Sequence, residues 1–160
     1  MIRKVIQILL LSFVAGMSGC VSHHTERVAD VNPMGWYPTD KLDVVFPNDD
    51  SLSVYDLYIV IRYDVTYAAE SIPLDIEVLT PDSTGYSERF EAVFVPMEEI
   101  AGNYVETDVP SRVNTILGQK GNYIFTFSPS RSTVEGITAI GLKSFPVGGK
   151  RTAVDRRQEH

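Results

Sequence analysis

Short runs that alternate between apolar and polar residues dominate the chain from Lys41 onward, and they constrain its fold more than any other feature. The clearest run spans 72–79, where apolar residues occupy the even positions and Asp75 and Glu77 lie between them. Alternation with a period of two places successive side chains on opposite faces of a β-strand. The run therefore predicts a strand with one buried and one exposed face.

Similar apolar or alternating runs occur at residues 42–46, 55–63, 86–95, 123–127 and 134–145. The turn residues of 81–85 separate two of these runs and predict an antiparallel hairpin between 72–79 and 86–95. Gly136 and Gly141 are expected to weaken the last strand or to mark a bulge in it. Because the chain shows no long amphipathic helix, six or seven strands predict an all-β protein: an antiparallel β-sandwich, jelly-roll-like, with a barrel as the alternative.

One stretch, Met97 to Gly118, is ambiguous. Residues 96–102 fit one helical turn closed by Gly102, and Arg112 to Leu117 fit an additional strand.

The N-terminus has the order of a bacterial lipoprotein signal peptide. Arg3 and Lys4 precede an apolar run, and Ser18 and Gly19 come directly before Cys20, the one cysteine of the chain. The apolar run is too short for a membrane-spanning helix, which needs about 20 residues. The pattern predicts cleavage before Cys20 and a diacylglyceride, with palmitate among its acyl chains, on the cysteine thiol.

These features divide the chain into four parts. We expect a signal peptide at 1–19, the lipidated cysteine with a polar spacer at 20–31, a β-sandwich domain at 32–147, and a basic, disordered tail at 148–160. The tail is basic through Lys150, Arg151, Arg156 and Arg157. Since Cys20 is the one cysteine, the folded part contains no disulfide and depends on apolar burial for its stability.

The charge balance restricts the partners. The 14 Lys and Arg fall to 12, against 21 Asp and Glu, when Arg3 and Lys4 leave with the signal peptide. Such an acidic chain is not expected to bind nucleic acid. It is also not expected to dock on anionic lipid by charge, so the acyl chains would hold it to the membrane. Val21 stands directly behind Cys20, where an acidic residue would favour retention in the inner membrane, so this position favours the outer membrane. Residues 21–25 lack the acidic patch of surface-exported lipoproteins, which favours the periplasmic face.

No arrangement of residues predicts catalysis, a metal site or a cofactor. The pair His23 and His24 lacks further ligands at a fixed spacing. The segment 82–85 resembles an aspartic protease signature but carries an extra residue and has no second copy, so a turn is favoured. The adjacent acids 49–50 and 98–99 do not point toward a common centre, as a glycosidase pair must. The sequence also lacks the elbow motif of a serine hydrolase.

Several short segments appear in a recognisable order: Cys20 and its spacer, Gly35-Trp36 before the first strand, Gly121-Asn122-Tyr123-Ile124-Phe125, and the closing Gly136-Ile137-Thr138-Ala139-Ile140-Gly141-Leu142. From Cys20 to about Phe145 the chain resembles the gliding-motility-associated lipoproteins of the H type, the GldH family. The resemblance implies a non-enzymatic, membrane-anchored component of a motility or secretion machine in the cell envelope, with envelope proteins as partners. Two family segments differ: a Trp-x-Gly-x-Gly segment is absent from 97–118, and of a His-x-Met-Arg stretch only Arg131 remains.

Five residues form the predicted partner or ligand surface: Trp36, Tyr63, Asp64, Tyr67 and Arg131. The tyrosines around Asp64 suggest a polar and aromatic patch, so a glycan- or peptide-binding module is the alternative function. Trp36 has two interpretations, a partner-binding anchor or a residue that covers one end of the core, and the second is favoured because a large indole is more often buried.

Overall fold

The computed structural model describes residues 24–67, 69–94 and 103–150, and this part of the chain consists of strands and loops without a helix. Its eight strands are β1 (Thr25–Asp30), β2 (Leu42–Asn48), β3 (Ser53–Asp64), β4 (Ser71–Leu79), β5 (Gly85–Val93), β6 (Tyr104–Ile116), β7 (Gly121–Pro129) and β8 (Ile137–Lys150). The all-β prediction is confirmed.

The strands form two four-stranded antiparallel sheets that pack as a sandwich. Sheet 1 has the order β1-β8-β3-β6, and sheet 2 has the order β2-β7-β4-β5. The chain crosses repeatedly from one sheet to the other, and the first and last strands are neighbours, which is the strand order of a jelly roll. The predicted hairpin is confirmed, because β4 and β5 pair from Ser71↔Val93 to Leu79↔Gly85.

The inner faces of the two sheets form one core. In β3 the alternating residues Leu57, Ile59, Ile61 and Tyr63 all point inward, as the sequence pattern predicts. The even-numbered residues of 72–78 and the odd-numbered aromatic residues of 123–127 contribute the facing side from sheet 2. Burial of these side chains, at roughly 25 cal/mol per Å² of apolar surface, is the main stabilising term for a fold without a disulfide.

The structure differs from the predicted spacer at 20–31. Residues Thr25–Asp30 form β1 and pair with β8 from Thr25↔Ser144 to Asp30↔Ala139. The sequence pattern does not reveal this strand because β1 is an edge strand whose side chains are mostly exposed or half-buried. Backbone hydrogen bonds, which carry no sequence signature, hold it in place. The ordered domain therefore begins at least seven residues earlier than the predicted boundary at residue 32.

The structure also decides part of what the sequence left open at 97–118 and part of the predicted tail at 148–160. Arg112 belongs to the second half of a long strand, β6, so the strand predicted at 112–117 exists but starts at Tyr104. The helical turn predicted at 96–102 lies outside the described residues. At the other end, β8 extends to Lys150, three residues into the predicted tail. A register shift interrupts the β3–β8 pairing between Arg62 and Tyr63, close to Gly136, which precedes β8 with a φ of 84°.

The sandwich has two distinct ends. The anchor end contains the start of β1 and the loops at 49–52, 80–84 and 117–120, and the far end contains residues 31–41, 64–67 and 130–136. At the anchor end the His24 ring stacks on the ring of Phe145. In the sheet, Phe145 is paired with Asp56 of β3. Asp64 lies eight residues further along β3, so the two ends are about 25 Å apart at ~3.3 Å per residue. Cys20 precedes His24 by four residues, which limits their separation to about 14 Å.

A tight loop at the anchor end centres on Asp82. Its carboxylate accepts hydrogen bonds from the Thr80 hydroxyl at 2.5 Å, the Thr84 N–H at 3.0 Å and the Gln119 side-chain amide at 2.6 Å. These bonds, led by that of Thr80, hold the pKa of Asp82 well below its usual range. The loop is a turn, as the sequence predicts, with Ser83 at a φ of 65°.

We expect Asp82→Asn to lower the melting temperature by a few degrees at pH 7, because an amide accepts fewer of these bonds. A depressed carboxyl pKa contributes stability above the unfolded-state value of about 3.9, and this contribution is lost as the pH falls toward the folded-state pKa. The difference between the wild type and the variant should therefore shrink below about pH 4. Thermal melts from pH 2 to 7 measure it, and a difference that is constant over this range would contradict the assignment.

Candidate functional site

The sequence-predicted surface residues all lie at the far end, although they are distant in sequence. Paired backbone hydrogen bonds join the loops there: Trp36 and Val134 donate to each other's carbonyl oxygens at 2.8 and 3.0 Å. The Gly136 N–H donates to the Pro33 carbonyl at 2.8 Å, and the Asp64 N–H donates to the Gly136 carbonyl at 2.7 Å. Three segments of chain thus form one ordered surface.

Trp36 is only 1% exposed and belongs to the core. Its indole N–H donates to the Asp40 carbonyl at 2.8 Å, which satisfies the one polar atom of the ring. A Cβ added to the adjacent Gly35 would lie 3.4 Å from side-chain atoms of Thr133 and of Tyr37. This geometry supports the second interpretation of Trp36, in which the indole covers the far end of the core, and leaves little indole surface for a ligand.

Three aromatic rings form a cluster at the same end of the sandwich. The rings of Tyr63 and Phe94 stack with centroids 4.9 Å apart, and Tyr67 meets Phe94 edge-on at 5.5 Å. Tyr63 is 8% exposed, whereas Tyr67 is half-buried, and burial raises the pKa of its hydroxyl. Tyr67 is therefore the member of this cluster that a ligand can reach.

Asp64 and Arg131 are the charged members of the predicted surface. The carboxylate of Asp64 accepts hydrogen bonds from the Thr66 hydroxyl at 2.6 Å and the Thr66 N–H at 2.8 Å. These bonds, led by the hydroxyl, hold the pKa of Asp64 below its usual range, so the group is ionised at neutral pH. Arg131 is exposed on the 130–136 loop, with no ion pair to any residue that the structure describes.

A cleft of about 520 Å³ opens on this surface, and we call it the far-end cleft. It combines two carboxylates with apolar groups and is lined by Pro33, Met34, Asp64, Thr66, Tyr67, Glu135 and Gly136. Met34 is 82% exposed at its rim. A Cβ on Gly136 would lie 3.2 Å from the Tyr67 ring, so a larger residue there would crowd the cleft wall. The cleft is acidic and partly apolar, which suits a basic or amphipathic ligand group.

An ion network that the sequence pattern does not predict lies on the outer face of sheet 1. Arg62 pairs with Glu106 at 2.6 Å and with Glu26 at 3.1 Å. Lys143 pairs with Asp108 at 2.8 Å and with Glu26 at 3.8 Å. The side-chain hydrogen bonds to Glu106 and to Asp108 raise the pKa values of Arg62 and Lys143, respectively, so both stay charged.

This network spans all four strands of sheet 1 and covers the fully buried Val60, which pairs with Asp108 and Gly141. The alternation of acids along β6 was a visible signal, but the basic partners come from strands that are distant in sequence. Each cation faces two carboxylates, so the network links the four strands of sheet 1.

Among the residues that the structure describes, no three side chains of His, Cys, Asp or Glu converge in a way that would hold a metal ion. In the same part of the chain no helix is long and apolar enough to cross a bilayer. His24, one of the two histidines considered for metal binding, stacks on Phe145 with ring centroids 5.7 Å apart.

Comparison with protein-family models identifies a family that matches most of the chain. The family model described as GldH lipoprotein matches residues 23–143, a range that contains β1 to β7 and the first half of β8. No curated protein matches the chain. The matched range includes the whole far end and begins three residues after Cys20.

Proposed function

We propose, from the premise that the chain belongs to the GldH lipoprotein family, that it is a lipid-anchored, non-enzymatic assembly component of a gliding-motility or secretion machine in the cell envelope. The observation that carries this proposal is the position of the family match directly behind the lipidation signal. A domain that starts at the anchor is suited to work as a tethered binding module.

Because of the membrane tether, weak contacts between the domain and its partner proteins are sufficient for binding. Cys20 lies within about 14 Å of His24, so an acylated cysteine holds the sandwich close to its membrane. Confinement to a membrane raises the effective concentration of the domain near partners in the same membrane. The partners in this proposal are envelope proteins, and the surface that meets them is the far end, where Asp64, Tyr67 and Arg131 remain accessible.

We assign the protein to the outer membrane, facing the periplasm. The support for the outer membrane is Val21, since the position after the cysteine carries no acidic residue that would favour the inner membrane. The support for the periplasmic face is the segment 21–25, which lacks the acidic patch of surface-exported lipoproteins. Fractionation of the two membranes, followed by protease treatment of intact cells, tests this assignment. Protection in intact cells together with recovery in the outer-membrane fraction is the expected result.

The proposal predicts that Cys20→Ala abolishes function without unfolding the domain, because the cysteine lies outside the described sandwich. A pull-down from crosslinked cells compares the tagged lipidated chain with the Cys20→Ala form. We expect motility or secretion proteins to be recovered with the lipidated chain and at least tenfold less with the variant. A folded Cys20→Ala chain with full activity in cells would refute the tethered role.

The same pull-down locates the contact surface. Arg131→Glu reverses a charge at the far end, and Lys120→Glu makes the same change on an exposed residue of the anchor end. Loss of the recovered proteins with the first variant but not with the second would support the far end as the contact surface. Equal recovery with both would direct the search to another face.

The far-end cleft favours a second candidate function, a lipid-anchored glycan- or peptide-binding module. This alternative no longer draws on Trp36 and Tyr63, whose side chains are buried, and it now depends on the accessible groups of the cleft. Recovery of no envelope protein, together with retention of the folded chain on immobilised envelope glycans, would favour it over the assembly role.

A further inference from the structure

Within residues 24–67, 69–94 and 103–150, one strand edge of the sandwich lacks protection by its backbone. The four edge strands are β1 and β6 in sheet 1 and β2 and β5 in sheet 2. Proline interrupts the edges of β2 and β6, at Pro47 and Pro110, and β6 also has register shifts. The short strand β1 packs beside β2. In contrast, β5 contains no proline and pairs with β4 through nine consecutive residue pairs without a shift. Proline, bulges and short length are the backbone features that protect an edge against pairing with another chain, and charged side chains are a further one. The edge of β5 has only the charges, so their arrangement decides whether a second chain can pair with it.

The hydrogen bonds at the two ends of the β4–β5 hairpin identify the free backbone groups of β5. The Phe94 N–H donates to the Glu70 carbonyl at 2.8 Å, and the Thr80 N–H donates to the Thr84 carbonyl at 2.9 Å. Because bonded pairs alternate in an antiparallel ladder, the even-numbered residues of β5 bond to β4. The odd-numbered residues direct their N–H and C=O groups to the free edge, and their side chains are exposed on the outer face of sheet 2.

The charges along this edge are self-complementary. We infer that β5 pairs antiparallel with β5 of a second copy, about a two-fold axis that passes between the two copies of Phe90. This register places Arg89 of each copy opposite Glu91 of the other, and Ser87 opposite Val93. All these residues are odd-numbered, so the facing pairs are hydrogen-bonded pairs, as the free backbone groups require. The result is one continuous eight-stranded sheet.

Neighbouring registers are disfavoured. A shift of two residues in one direction places Arg89 opposite itself, and the same shift in the other direction places Glu91 opposite itself. Like charges directly opposite each other destabilise an antiparallel pair, whereas opposite charges contribute favourably. Phe90, which is half-buried on the inner face, meets its own copy in the favoured register and so loses further exposed surface.

The existing contacts of the two charged residues are compatible with this pairing. Arg89 is 61% exposed, and its Nε donates to Asp75 at 3.2 Å. Its ion pairs within the described residues do not use the two terminal nitrogens, which are the groups that reach a facing carboxylate. Glu91 accepts a hydrogen bond from the Ser71 hydroxyl through Oε1 and is exposed. Neither residue has to leave the β4–β5 hairpin.

The paired strands related by the two-fold axis point in opposite directions, so the two Cys20 anchors lie toward opposite ends of the dimer. When both anchors insert in one bilayer, the strands lie along the membrane plane. The inference depends on β5 alone and does not require the far end or the proposed envelope partners.

Charge reversal tests the pairing in the lipidated, full-length protein. Two copies with different tags are expressed together, solubilised in detergent, and captured through one tag. We expect Arg89→Glu alone and Glu91→Arg alone each to reduce co-capture at least tenfold, because each places two like-charged pairs across the edge. The double variant Arg89→Glu/Glu91→Arg should restore co-capture.

A mixture of the two single variants is the sharpest control. When one copy carries Arg89→Glu and the other Glu91→Arg, every facing pair is again of opposite charge, so these copies should capture each other but not themselves. Glu91→Pro, which removes an N–H directed to the free edge and none that bonds to β4, should also abolish co-capture. Circular dichroism of each variant verifies the fold.

Three results would overturn the inference. They are an absence of co-capture between wild-type copies, co-capture that both single charge reversals leave unchanged, or a mixture of the two that fails to pair although each variant is folded. Pull-down of envelope proteins is a separate readout, so failure of the dimer and failure of the proposed function can be distinguished.

Discussion

Replacing Trp36 with alanine is expected to destabilise the sandwich by about 3–5 kcal/mol, the usual cost of removing a buried aromatic side chain. The indole is 1% exposed, and its removal opens the far end of the core to a cavity. It also leaves the Asp40 carbonyl without the N–H that now donates to it at 2.8 Å. Since small domains have a total stability of about 5–15 kcal/mol, the variant should be close to unfolding at 37 °C.

Urea unfolding monitored by circular dichroism measures this loss. Tyr37→Ala is the matched control, because Tyr37 is the next residue and is 53% exposed, and we expect a change within about 0.5 kcal/mol. Trp36→Phe keeps an aromatic ring but removes the indole N–H, so it separates the contribution of packing from that of the hydrogen bond. We expect its free energy of unfolding to lie between those of the wild type and the alanine variant. Equal stability of Trp36→Ala and Tyr37→Ala would show that the indole does not close the core.

Replacing Gly141 with alanine is expected to displace β1 from sheet 1. A Cβ on Gly141 would lie 2.1 Å from the Arg27 carbonyl oxygen and 2.7 Å from the Val28 Cα, distances that no packing tolerates. These are backbone atoms of the neighbouring strand, so the strand itself has to move. We expect a loss of about 3 kcal/mol, at the upper end of the usual cost of overpacking.

The local consequence distinguishes this variant from a general loss of stability. Displacement of β1 would separate Glu26 from Arg62 and Lys143, its two partners in the ion network. Hydrogen exchange should therefore show loss of amide protection in 25–30 before the rest of the sandwich exchanges. Gly118→Ala is the control, because an added Cβ there meets no atom within 4 Å. Normal protection of β1 in Gly141→Ala would contradict the close approach of the two strands.

The accuracy of the sequence predictions differed between the core strands and the rest of the domain, and the difference has a physical cause. In β3 and β4 the inward-facing residues alternate because one face of each strand is buried, so the sequence records the contact with the core. The sequence of β1 shows no such alternation, since the strand lies at an edge and its side chains are exposed or half-buried. The sequence pattern of 20–31 therefore predicts a spacer instead of a strand.

The candidate surface shows the same division. The sequence shows the residue types around Asp64, and it offers two interpretations of Trp36: a side chain that binds a partner, or one that covers the end of the core. The choice itself required the bridge between Trp36 and Val134, which joins segments almost a hundred residues apart. The far-end cleft and the ion network depend on contacts of the same long range.

The sequence by itself determined what depends on neighbours along the chain: the strand periodicity, the hairpin at 81–85 and the family resemblance, and it predicts lipidation at Cys20. Tertiary structure decided what depends on the pairing of distant segments: the place of β1 beside β8, the burial of Trp36, and the free edge of β5. Strand pairing is made by backbone groups that every residue carries, so a sequence indicates where strands are far better than it indicates which strands lie side by side.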